Sequence, residues 1–472
     1  MKSGLLVLSM VACLSGCAMN PVSGKQDFVM MSESDEIALG KKSDIEVRKE
    51  YGVYDSPLLQ DYVDKVGQRL AKNSHRPGLQ YHFTVVDSPE VNAFALPGGY
   101  IYITRGILPY LDSEAELAAV LGHEIGHVTA RHAVKQYTAA TAAGIGVQIA
   151  SIFVPEINTQ AGYNLVNVTG SALLSGYGRE HELEADRLGS AYLAKTGYDP
   201  HAMMDVLSIL KEQEQFDIAQ AKLEHREPRG YHGLFASHPD SDTRLQQVVG
   251  EASKLQAASH PVEGRRIYLE HINGIIFGDS PSQGVVRNNE FLHEKLDIAI
   301  QFPENWTIKN SPKQLVATNG DAVMSLSLVD AFQGNPSDYL LHRFGRGELT
   351  SFRSSGLEGA LLFVSEKSAA GAIKMGDKLY VVRAAAKSSI AFSDARPGIE
   401  KTLHSFHPLT DIEKRLARGL RISVRKANPG DTYEAYASKS PLGKNALGYL
   451  RLLNHAYPDG EPHPGDAVKL VE

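Results

Sequence analysis

Two histidines and a glutamate within five consecutive residues are the part of this sequence best suited to chemistry. His123 and His127 are four residues apart, and Glu124 directly follows the first of them. If the segment is helical, both imidazoles lie on one face, one turn apart, and their nitrogens can bind a single zinc ion. Glu124 then lies beside the metal, where its carboxylate can act as the general base on a water molecule. The sequence therefore predicts a catalytic site for one Zn2+ per chain.

A catalytic zinc also needs a third protein ligand. His132 lies five residues beyond His127, about 140° round a helix, so we expect it to support the fold or the site without binding the metal. The better source is the segment from Arg179 to Asp186, which is predicted to form another helix. Its charged side chains belong either to the metal site or to a solvated helix face.

Within this second helix, the acidic residues differ in the direction they face. Glu182 and Asp186 are four residues apart and share one face, while Glu184 points about 200° away from Glu182. A carboxylate from Glu182 would complete a set of two histidines and one glutamate. Asp186, one turn further on, could accept the free N–H of a ligating imidazole and orient its ring. Glu182 is thus the favoured third ligand, with the solvated helix face as the alternative.

The elements that must position these residues are predicted from local patterns. Ser113 and Glu116 have the spacing of a capping box, and apolar residues recur after them at helical spacing. We therefore predict one helix from about Ser113 to Gln136. Alternating apolar residues at 81–86 and 99–103 predict a small sheet that precedes this helix.

The first residues have the pattern of a bacterial lipoprotein signal peptide. Lys2 precedes an apolar run of about ten residues, too short for a membrane span of about 20, and residues 14–17 read as a lipobox. We expect export and lipid attachment at Cys17, which would anchor the protein without spanning the bilayer. Ala18 follows, as in lipoproteins that go to the outer membrane. Because the other cysteine, Cys13, lies inside the signal peptide, no internal disulfide is expected in the rest of the chain.

Length, composition and charge limit the class of protein. A chain of 472 residues is expected to form two to four domains. It is 43% hydrophobic and has a net charge of −7 without a strongly basic stripe, so nucleic acid is not expected as a partner. The uncharged Ala/Gly-rich stretch at 138–154 favours a buried helix or a lid over a membrane-inserted segment.

Three motifs, in the same order, resemble the gluzincin peptidase family that includes HtpX, the CAAX prenyl protease and BepA. They are the segments Asn92 to Gly99, His123 to His132, and Arg179 to Asp186. The residues Asn20 to Gly24 resemble the exported lipoprotein branch of the same family. The likeness covers about Ser32 to Val249.

This resemblance implies roles for residues around the predicted zinc. It implies that Glu182 is the third ligand and that Asp186 lies next to the ligands, with Arg179 close by. It also implies that 99–103 is an edge strand that binds the substrate backbone by strand addition. The substrate-binding residues on that strand would be Gly99, Tyr100 and Ile101.

A further segment that matches the family carries His238, in a loop before a proline, and then Arg244. His238 is a candidate fourth, inhibitory ligand or a helper for the oxyanion, although a histidine at such a place is often only a turn residue. Arg244 is a candidate for substrate binding, and Arg244 and Arg179 are candidates for stabilising the oxyanion. Arg179 could equally pair with Glu180 or Asp186.

The second half of the chain has a different character. β-branched and small polar residues increase after about residue 257, which predicts a separate β-rich unit. The region 265–410 has a faint likeness to small PsbP/Mog-type modules. The segment 420–472 resembles a LysM module, a type that binds the N-acetylglucosamine chains of cell wall, with a turn-rich tail as the alternative. The likeness lies in Pro429 to Thr432, Leu453-Asn454 and Pro464 to Leu470.

The predicted fold class is therefore α+β. A mostly helical zincin-type peptidase domain with a small sheet is followed by a β-rich α+β domain and a small LysM-like module. The expected segments are a signal peptide (1–17), a tether (18–43), the peptidase domain (44–257), the middle domain (265–410) and the LysM-like module (420–472).

The predicted function is a zinc-dependent endopeptidase of a Gram-negative cell envelope, lipid-anchored on the periplasmic face of the outer membrane. Its expected substrates are misfolded or misassembled envelope proteins, and peptidoglycan is a further expected partner through the C-terminal module. The alternative is a chaperone-like or cell-wall-binding scaffold with a mostly closed, self-inhibited zinc site. The chain lacks the 34-residue repeat expected after the peptidase of BepA, so the partners of BepA are not carried over.

Overall fold

The computed structural model describes residues 17–142, 178–223, 244, 255, 258–311 and 315–472. The chain divides into two compact units, Met1–Phe277 together with Arg421–Glu472, and Gly278–Leu420. Helices and small sheets occur in both, which confirms the predicted α+β class. The signal peptide, most of the 138–154 stretch and His238 lie outside the described residues. Within the described residues, no helix combines the length and the apolar character that a membrane span requires.

The first unit opens with a hairpin and two helices, β1 (Cys17–Met19), β2 (Gln26–Phe28), α1 (Glu33–Tyr51) and α2 (Pro57–Ala71). α1 begins inside the segment that we predicted to be a tether, so that prediction is corrected from Glu33 onward. The physical reason is the buried carboxylate of Glu36, which accepts hydrogen bonds from Arg76 at 2.8 Å and from Arg131 at 2.9 Å. These charge-assisted bonds hold α1 against the rest of the unit.

A three-stranded sheet follows, formed by β3 (His82–Val86), β4 (Ala93–Leu96) and β5 (Tyr100–Thr104) in the order β3-β5-β4. β5 pairs in parallel with β3 and antiparallel with β4, so it is the central strand. The expectation that 99–103 is an edge strand is therefore wrong. Alternation predicts a strand but does not tell which strands flank it, and β3 occupies the side that we expected to be free. In the described part of the chain, β4 is the edge strand on the other side of the sheet.

The central helix of this unit is fully enclosed. The remaining elements of the region are α3 (Glu114–Thr129), α4 (His132–Ala142), α5 (Arg179–Thr196), α6 (Ala202–Leu223), α7 (Arg265–Ile272) and β6 (Ile276–Phe277). Every residue of α3 after its first is buried. Ser113 caps the helix by accepting a hydrogen bond from Glu116 N–H at 3.1 Å. The Glu116 carboxylate accepts from Asp112 N–H at 2.7 Å, so the return bond of the predicted capping box reaches one residue further back.

We predicted one helix up to Gln136, but the chain turns sharply between α3 and α4. Arg131 has a φ of 57°, in the left-handed region that non-glycine residues rarely adopt. Its guanidinium donates hydrogen bonds to Glu36 at 2.9 Å and to the carbonyl of Met31 at 3.1 Å. These buried bonds offset the strain, and they come from a distant part of the chain that helical periodicity does not include.

The second unit is β-rich, as predicted. Its elements are β7 (Val285–Arg287), β8 (Glu290–His293), β9 (Ile298–Gln301), β10 (Thr307–Asn310), β11 (Leu315–Thr318), β12 (Ala322–Val329), α8 (Pro336–Phe344), β13 (Glu348–Ser354), β14 (Leu357–Ser365), β15 (Ser368–Met375), β16 (Lys378–Ala386), α9 (Ser389–Ser405) and α10 (Asp411–Leu416). Seven strands form one antiparallel sheet in the order β10-β11-β12-β16-β15-β14-β13, and β7-β8-β9 form another. Alternating residues of the large sheet pack in two separate cores, one with Leu340 of α8 and one with Ile399 and Leu403 of α9.

The C-terminal segment consists of β17 (Leu420–Lys426), α11 (Tyr433–Ala437), α12 (Ala446–Leu453) and β18 (Ala467–Val471). β17 and β18 pair antiparallel, and β6 joins them to give the order β18-β17-β6. The segment therefore has a β-α-α-β order and shares a sheet with the region that contains α3. This arrangement does not establish that the segment is a LysM module.

Candidate metal centre

The candidate metal centre forms where helices α3 and α5 pack with their backbones very close together. A Cβ placed on Gly122 would lie 3.3 Å from the Cα of Gly189, and one on Gly126 would lie 2.9 Å from the carbonyl oxygen of Ala185. A Cβ on Gly126 would therefore require the backbone to move, and one on Gly122 would be in tight contact. The small residues of both helices thus allow α5 to bring Glu182 opposite the two histidines of α3.

Three buried side chains converge at this crossing. His123 Nε2 and His127 Nε2 are 2.9 Å apart. One carboxylate oxygen of Glu182 lies 3.5 Å from Nε2 of His123, and the other lies 3.5 Å from Nε2 of His127. A tetrahedral zinc with bonds of about 2.0–2.1 Å holds its ligand atoms roughly 3.3 Å apart, so these nitrogen–nitrogen and nitrogen–oxygen distances are close to those around such an ion. The structure thus brings together His123, His127 and Glu182 as a group able to hold a metal.

His123 is oriented by residues of α5 and by Arg244. Its Nδ1 lies 2.8 Å from Asp186, and Arg244 donates two hydrogen bonds of 2.7 Å to the same carboxylate. The carboxylate accepts, so Nδ1 carries the proton and Nε2 keeps its lone pair for a metal. Arg244 also lies 3.0 Å from a carboxylate oxygen of Glu182. One arginine therefore positions both a ligand and the partner of another ligand.

His127 is oriented by a chain of residues that leads away from the metal. Its Nδ1 lies 2.8 Å from Nδ1 of His132, and Nε2 of His132 lies 3.1 Å from Glu184. Glu184 accepts from His132, which leaves Nδ1 of His132 to accept from His127. His127 then presents a lone pair at Nε2. His132 does not point at the metal and supports a ligand, and Glu184 supports His132 in turn, a link that the sequence reasoning did not include.

The electrostatics of the centre favour a charged imidazole at His123 and neutral rings at His132 and His181. Burial alone would lower the pKa of His123, but hydrogen bonds to Asp186 and Glu182 outweigh it and raise the pKa to about 9. Burial would raise the pKa of Asp186, but Arg244 holds it below its usual value. Burial lowers the pKa of His132 and, with the neighbouring His132 ring, lowers that of His181 to about 4. The carboxylates beside His123 therefore favour a positive charge at this imidazole.

The other predicted site residues have varied positions. Glu124 is buried on α3 directly after a ligand, and Arg179 is exposed at the first position of α5. Gly99 lies in the turn before β5, and Tyr100 and Ile101 lie in β5 itself. Arg244 was expected to contact substrate, but it is only 3% exposed and contacts Asp186 and Glu182, so we assign it a positioning role.

The turn between β4 and β5 is tied to the end of α3 by a residue that sequence reasoning missed. Glu36 accepts from Gly98 N–H at 3.3 Å as well as from the arginines named above. A small cleft beside His127 is lined by Ala95 and Pro97 of the same segment and by Glu36 itself. No local signal distinguishes Glu36 from the other acidic residues of α1.

Two histidines one helical turn apart, a glutamate from a second packed helix and a glutamate beside the first histidine have the arrangement of a gluzincin-type zinc metallopeptidase centre. Residues 57–252 match the family model described as Peptidase family M48. Residues 57–252 are therefore similar to M48 peptidases, which confirms the predicted resemblance. M48 peptidases are zinc-dependent, in keeping with the group formed by His123, His127 and Glu182.

Several proteins with similar sequences are named as proteases or metalloendopeptidases. The chain is 30% identical to a beta-barrel assembly-enhancing protease of Yersinia pestis over 256 residues, which is 53% of this chain and 50% of that protein. Against the protein of the same name from Escherichia coli K12 it is 29% identical over 48% of this chain and 45% of that protein. It is 30% identical to mitochondrial metalloendopeptidase OMA1 of Schizosaccharomyces pombe over 48% of this chain and 64% of that protein. The chain thus spans about half the length of the first two relatives.

A solved structure also resembles part of the chain. The solution structure of cyanobacterial PsbP from Synechocystis covers 27% of this chain and 96% of its own, with 12% identity and a TM-score of 0.20. A likeness at this level does not establish the fold of any region.

Proposed function

We propose that this protein is a zinc-dependent endopeptidase that hydrolyses misfolded or misassembled proteins of a bacterial cell envelope. The observation that carries the proposal is the convergence of His123, His127 and Glu182 at zinc-like spacing, with Glu124 next to a ligand. The bacterial relatives named as beta-barrel assembly-enhancing proteases support the envelope as the place of action.

Each residue of the centre has a defined task in peptide hydrolysis. Zinc, when bound, supplies a Lewis acid that activates water and polarises the scissile carbonyl. Glu124 accepts the proton of the attacking water and passes it to the leaving amine. Asp186 and His132 each accept the N–H of a ligating imidazole, which keeps both Nε2 lone pairs directed at one point. Burial of these partners excludes water that would weaken the hydrogen bonds.

We further propose that substrate binds along β4. Strand addition requires a strand with a free edge, and β5 has neighbours on both sides. β4 is one of the two edge strands of the described sheet, and Ala95 near its end lines the cleft beside His127. A peptide paired with β4 would pass close to the metal. Tyr100 and Ile101 then act by holding β4 through the sheet.

The test is zinc content together with cleavage of casein, measured on protein that lacks residues 1–17. Glu124→Gln should keep one zinc at this centre and lose cleavage by at least about 100-fold, since general-base catalysis is worth about 10²–10⁴. Glu180→Gln, an exposed glutamate at the start of α5, is the matched control and should cleave normally. Retained cleavage in Glu124→Gln would contradict the assigned base, and absence of zinc would overturn the proposal.

A scaffold with a closed zinc site is the second candidate function. Burial of the ligands favours it, since His123, His127 and Glu182 are only 6%, 1% and 0% exposed. The sequence offers His238 as the residue that would close the site. Under this alternative His238→Ala should raise cleavage from a low level, whereas an open protease should be unchanged. Zinc without cleavage in every variant would favour the scaffold.

The position in the envelope is proposed from the N-terminal sequence. We propose that a lipid on Cys17 anchors the protein to the periplasmic face of the outer membrane, and that residues 420–472 bind peptidoglycan. Cys17→Ser should release the protein from the membrane fraction after cell lysis. Co-sedimentation of the protein with purified peptidoglycan would support the second part, and absence of co-sedimentation would contradict it.

A further inference from the structure

Outside the catalytic centre, another histidine and two glutamates converge within the second unit. Glu290 lies at the start of β8, His407 follows α9, and Glu413 lies in the first turn of α10. One nitrogen or oxygen from each residue lies within 4.8 Å of the others, and all three side chains are half-buried. The three come from separate elements of one compact unit, so a ligand held by them would link those elements.

The hydrogen bonds of His407 define which nitrogen can bind a metal. Its Nδ1 lies 2.6 Å from the carbonyl oxygen of Ser405. A carbonyl only accepts, so Nδ1 carries the proton and donates it. A neutral His407 therefore presents a lone pair at Nε2, as ligating imidazoles do when a backbone carbonyl holds the other nitrogen. The backbone of His407 is itself held by paired bonds of 2.8 and 3.1 Å to Ala299.

Glu413 is also directed at this point by the fold. One of its oxygens accepts from both the backbone N–H and the hydroxyl of Thr410, at 2.7 and 2.8 Å, in a capping box. The other oxygen lies 3.0 Å from Nε2 of His407. If His407 is neutral, these are two acceptors facing each other, and a cation must lie between or beside them. A proton on His407 or a metal ion can supply that charge.

The position of Glu290 favours a metal ion over a proton on His407. Among the described residues, neither a hydrogen bond nor an ion pair engages its carboxylate, although Glu413 and His407 are close enough to influence its charge. A proton on His407 neutralises a single carboxylate and leaves a second one nearby. A divalent cation neutralises both. The distance between Nε2 of His407 and the Glu413 oxygen is 3.0 Å. It is close to the distance of roughly 3.3 Å between two ligand atoms of a tetrahedral zinc ion.

We propose that Glu290, His407 and Glu413 form a second zinc site, separate from the peptidase centre and structural in role. One imidazole and two carboxylates are a ligand set that zinc accepts. The ion would join β8, the segment after α9 and the start of α10. The proposal does not depend on peptide hydrolysis.

The experiment counts zinc in the chain from residue 18 onward by equilibrium dialysis with elemental analysis, at a free zinc concentration that saturates the centre at His123. The wild-type protein should hold two equivalents. Glu413→Gln and His407→Ala should each hold one, with the affinity of the lost site reduced at least tenfold and casein cleavage unchanged. Glutamine keeps the bond to Thr410 N–H, so the helix cap of α10 survives in Glu413→Gln.

Glu294→Gln is the matched control, because Glu294 is an exposed glutamate of the same unit. It should retain two equivalents, while His123→Ala should lose the catalytic zinc and keep the second. If the wild-type protein holds only one equivalent of zinc and His123→Ala removes it, His407 is protonated and forms an ion pair. This result would overturn the proposal. Two equivalents retained in both Glu413→Gln and His407→Ala would overturn it as well. Failure of cleavage with two zinc ions bound would count only against the proposed peptidase function.

Discussion

At the scale of single residues, the metal centre depends on how the histidine protons are held. Asp186 accepts from His123, and His132 accepts from His127. Both bonds place the proton on Nδ1 and the lone pair on Nε2. The two supports differ, because Asp186 is backed by the buried cation of Arg244, whereas His132 is backed by the half-buried carboxylate of Glu184.

The role of Glu184, which supports His132 and through it His127, can be tested directly. Glu184→Gln removes the charge that orients His132, so zinc should bind about tenfold more weakly, the lower end of the effect expected for partners of ligating histidines. Competition with a fluorescent chelator measures this affinity. Glu180→Gln on the same helix should bind zinc like the wild type. Equal affinities for both variants would show that Glu184 does not orient the ligand.

Glu116 provides a test of pH dependence. Burial raises its pKa to about 8, above the ordinary value of about 4.3. The folded state then holds the proton more tightly than the unfolded state, so this stabilisation is complete below pH 4.3 and is lost as the pH rises to about 8. Glu116→Gln is neutral throughout. The difference in free energy of unfolding between Glu116→Gln and the wild type should increase by up to about 1.4 kcal/mol for each pH unit between about 4.3 and about 8.

Denaturant unfolding across this pH range measures the difference. Glutamine can still accept from Asp112 N–H, so the cap region is retained. Glu434→Gln, at an exposed carboxylate of α11, is the matched control. If the difference in free energy of unfolding between Glu116→Gln and the wild type does not change with pH, the pKa of Glu116 is ordinary.

At the scale of elements, the distance between α3 and α5 decides whether a third ligand can reach the zinc. Gly122 and Gly126 on α3 meet Gly189 and Ala185 on α5 at separations where an added Cβ would be in tight contact or would clash. The histidine spacing therefore supplies two ligands locally, but the third depends on close packing between helices.

Gly189→Ala tests this requirement. The added Cβ would lie 2.9 Å from the backbone nitrogen of His123 and 2.6 Å from the side chain of Met203, so the helices must separate. We expect a loss of about 1–3 kcal/mol in stability, the usual cost of overpacking, together with weaker zinc binding. Thermal unfolding and zinc titration measure the two effects. Gly178→Ala, whose Cβ meets nothing within 4 Å, should leave zinc affinity unchanged.

At the scale of the whole molecule, the C-terminal segment is part of the unit that holds the catalytic helix. His455 donates to the carbonyl of Tyr110 at 2.8 Å, and Lys469 donates to that of Leu111 at 2.9 Å. Lys469 is fully buried and lies 3.3 Å from Asp112. These bonds reach the residues directly before α3. The expected independent module at 420–472 is therefore joined to the peptidase region by buried polar contacts.

Lys469→Met tests this connection. The substitution removes a buried cation, so less positive charge remains to balance the Asp112 carboxylate. Breaking a buried ion pair typically lowers the free energy of unfolding by about 3–5 kcal/mol. Because the residues before α3 lose their anchor, we expect a lower unfolding midpoint with zinc release in the same transition. Lys444→Met, at an exposed lysine of the same segment, is the control. Equal midpoints for the two variants would show that the segment does not stabilise the catalytic unit.

The sequence by itself determined the features that depend on local spacing. Two histidines four residues apart must share a helix face, so His123, His127 and the neighbouring Glu124 were recognisable without a structure. The face shared by Glu182 and Asp186, together with the three family motifs, extended the prediction to a second helix. The α+β class and the β-rich second unit followed from periodicity and composition.

Only the tertiary structure decided the features that depend on contacts between distant residues. The strand order that makes β5 central, the turn at Arg131 anchored by Glu36, the partners of Arg244 and the docking of Lys469 all join residues far apart in the chain. Periodicity reports which face of an element is buried, but it carries no information about what that face meets. The position of the ligands could therefore be predicted, whereas the network that orients them could not.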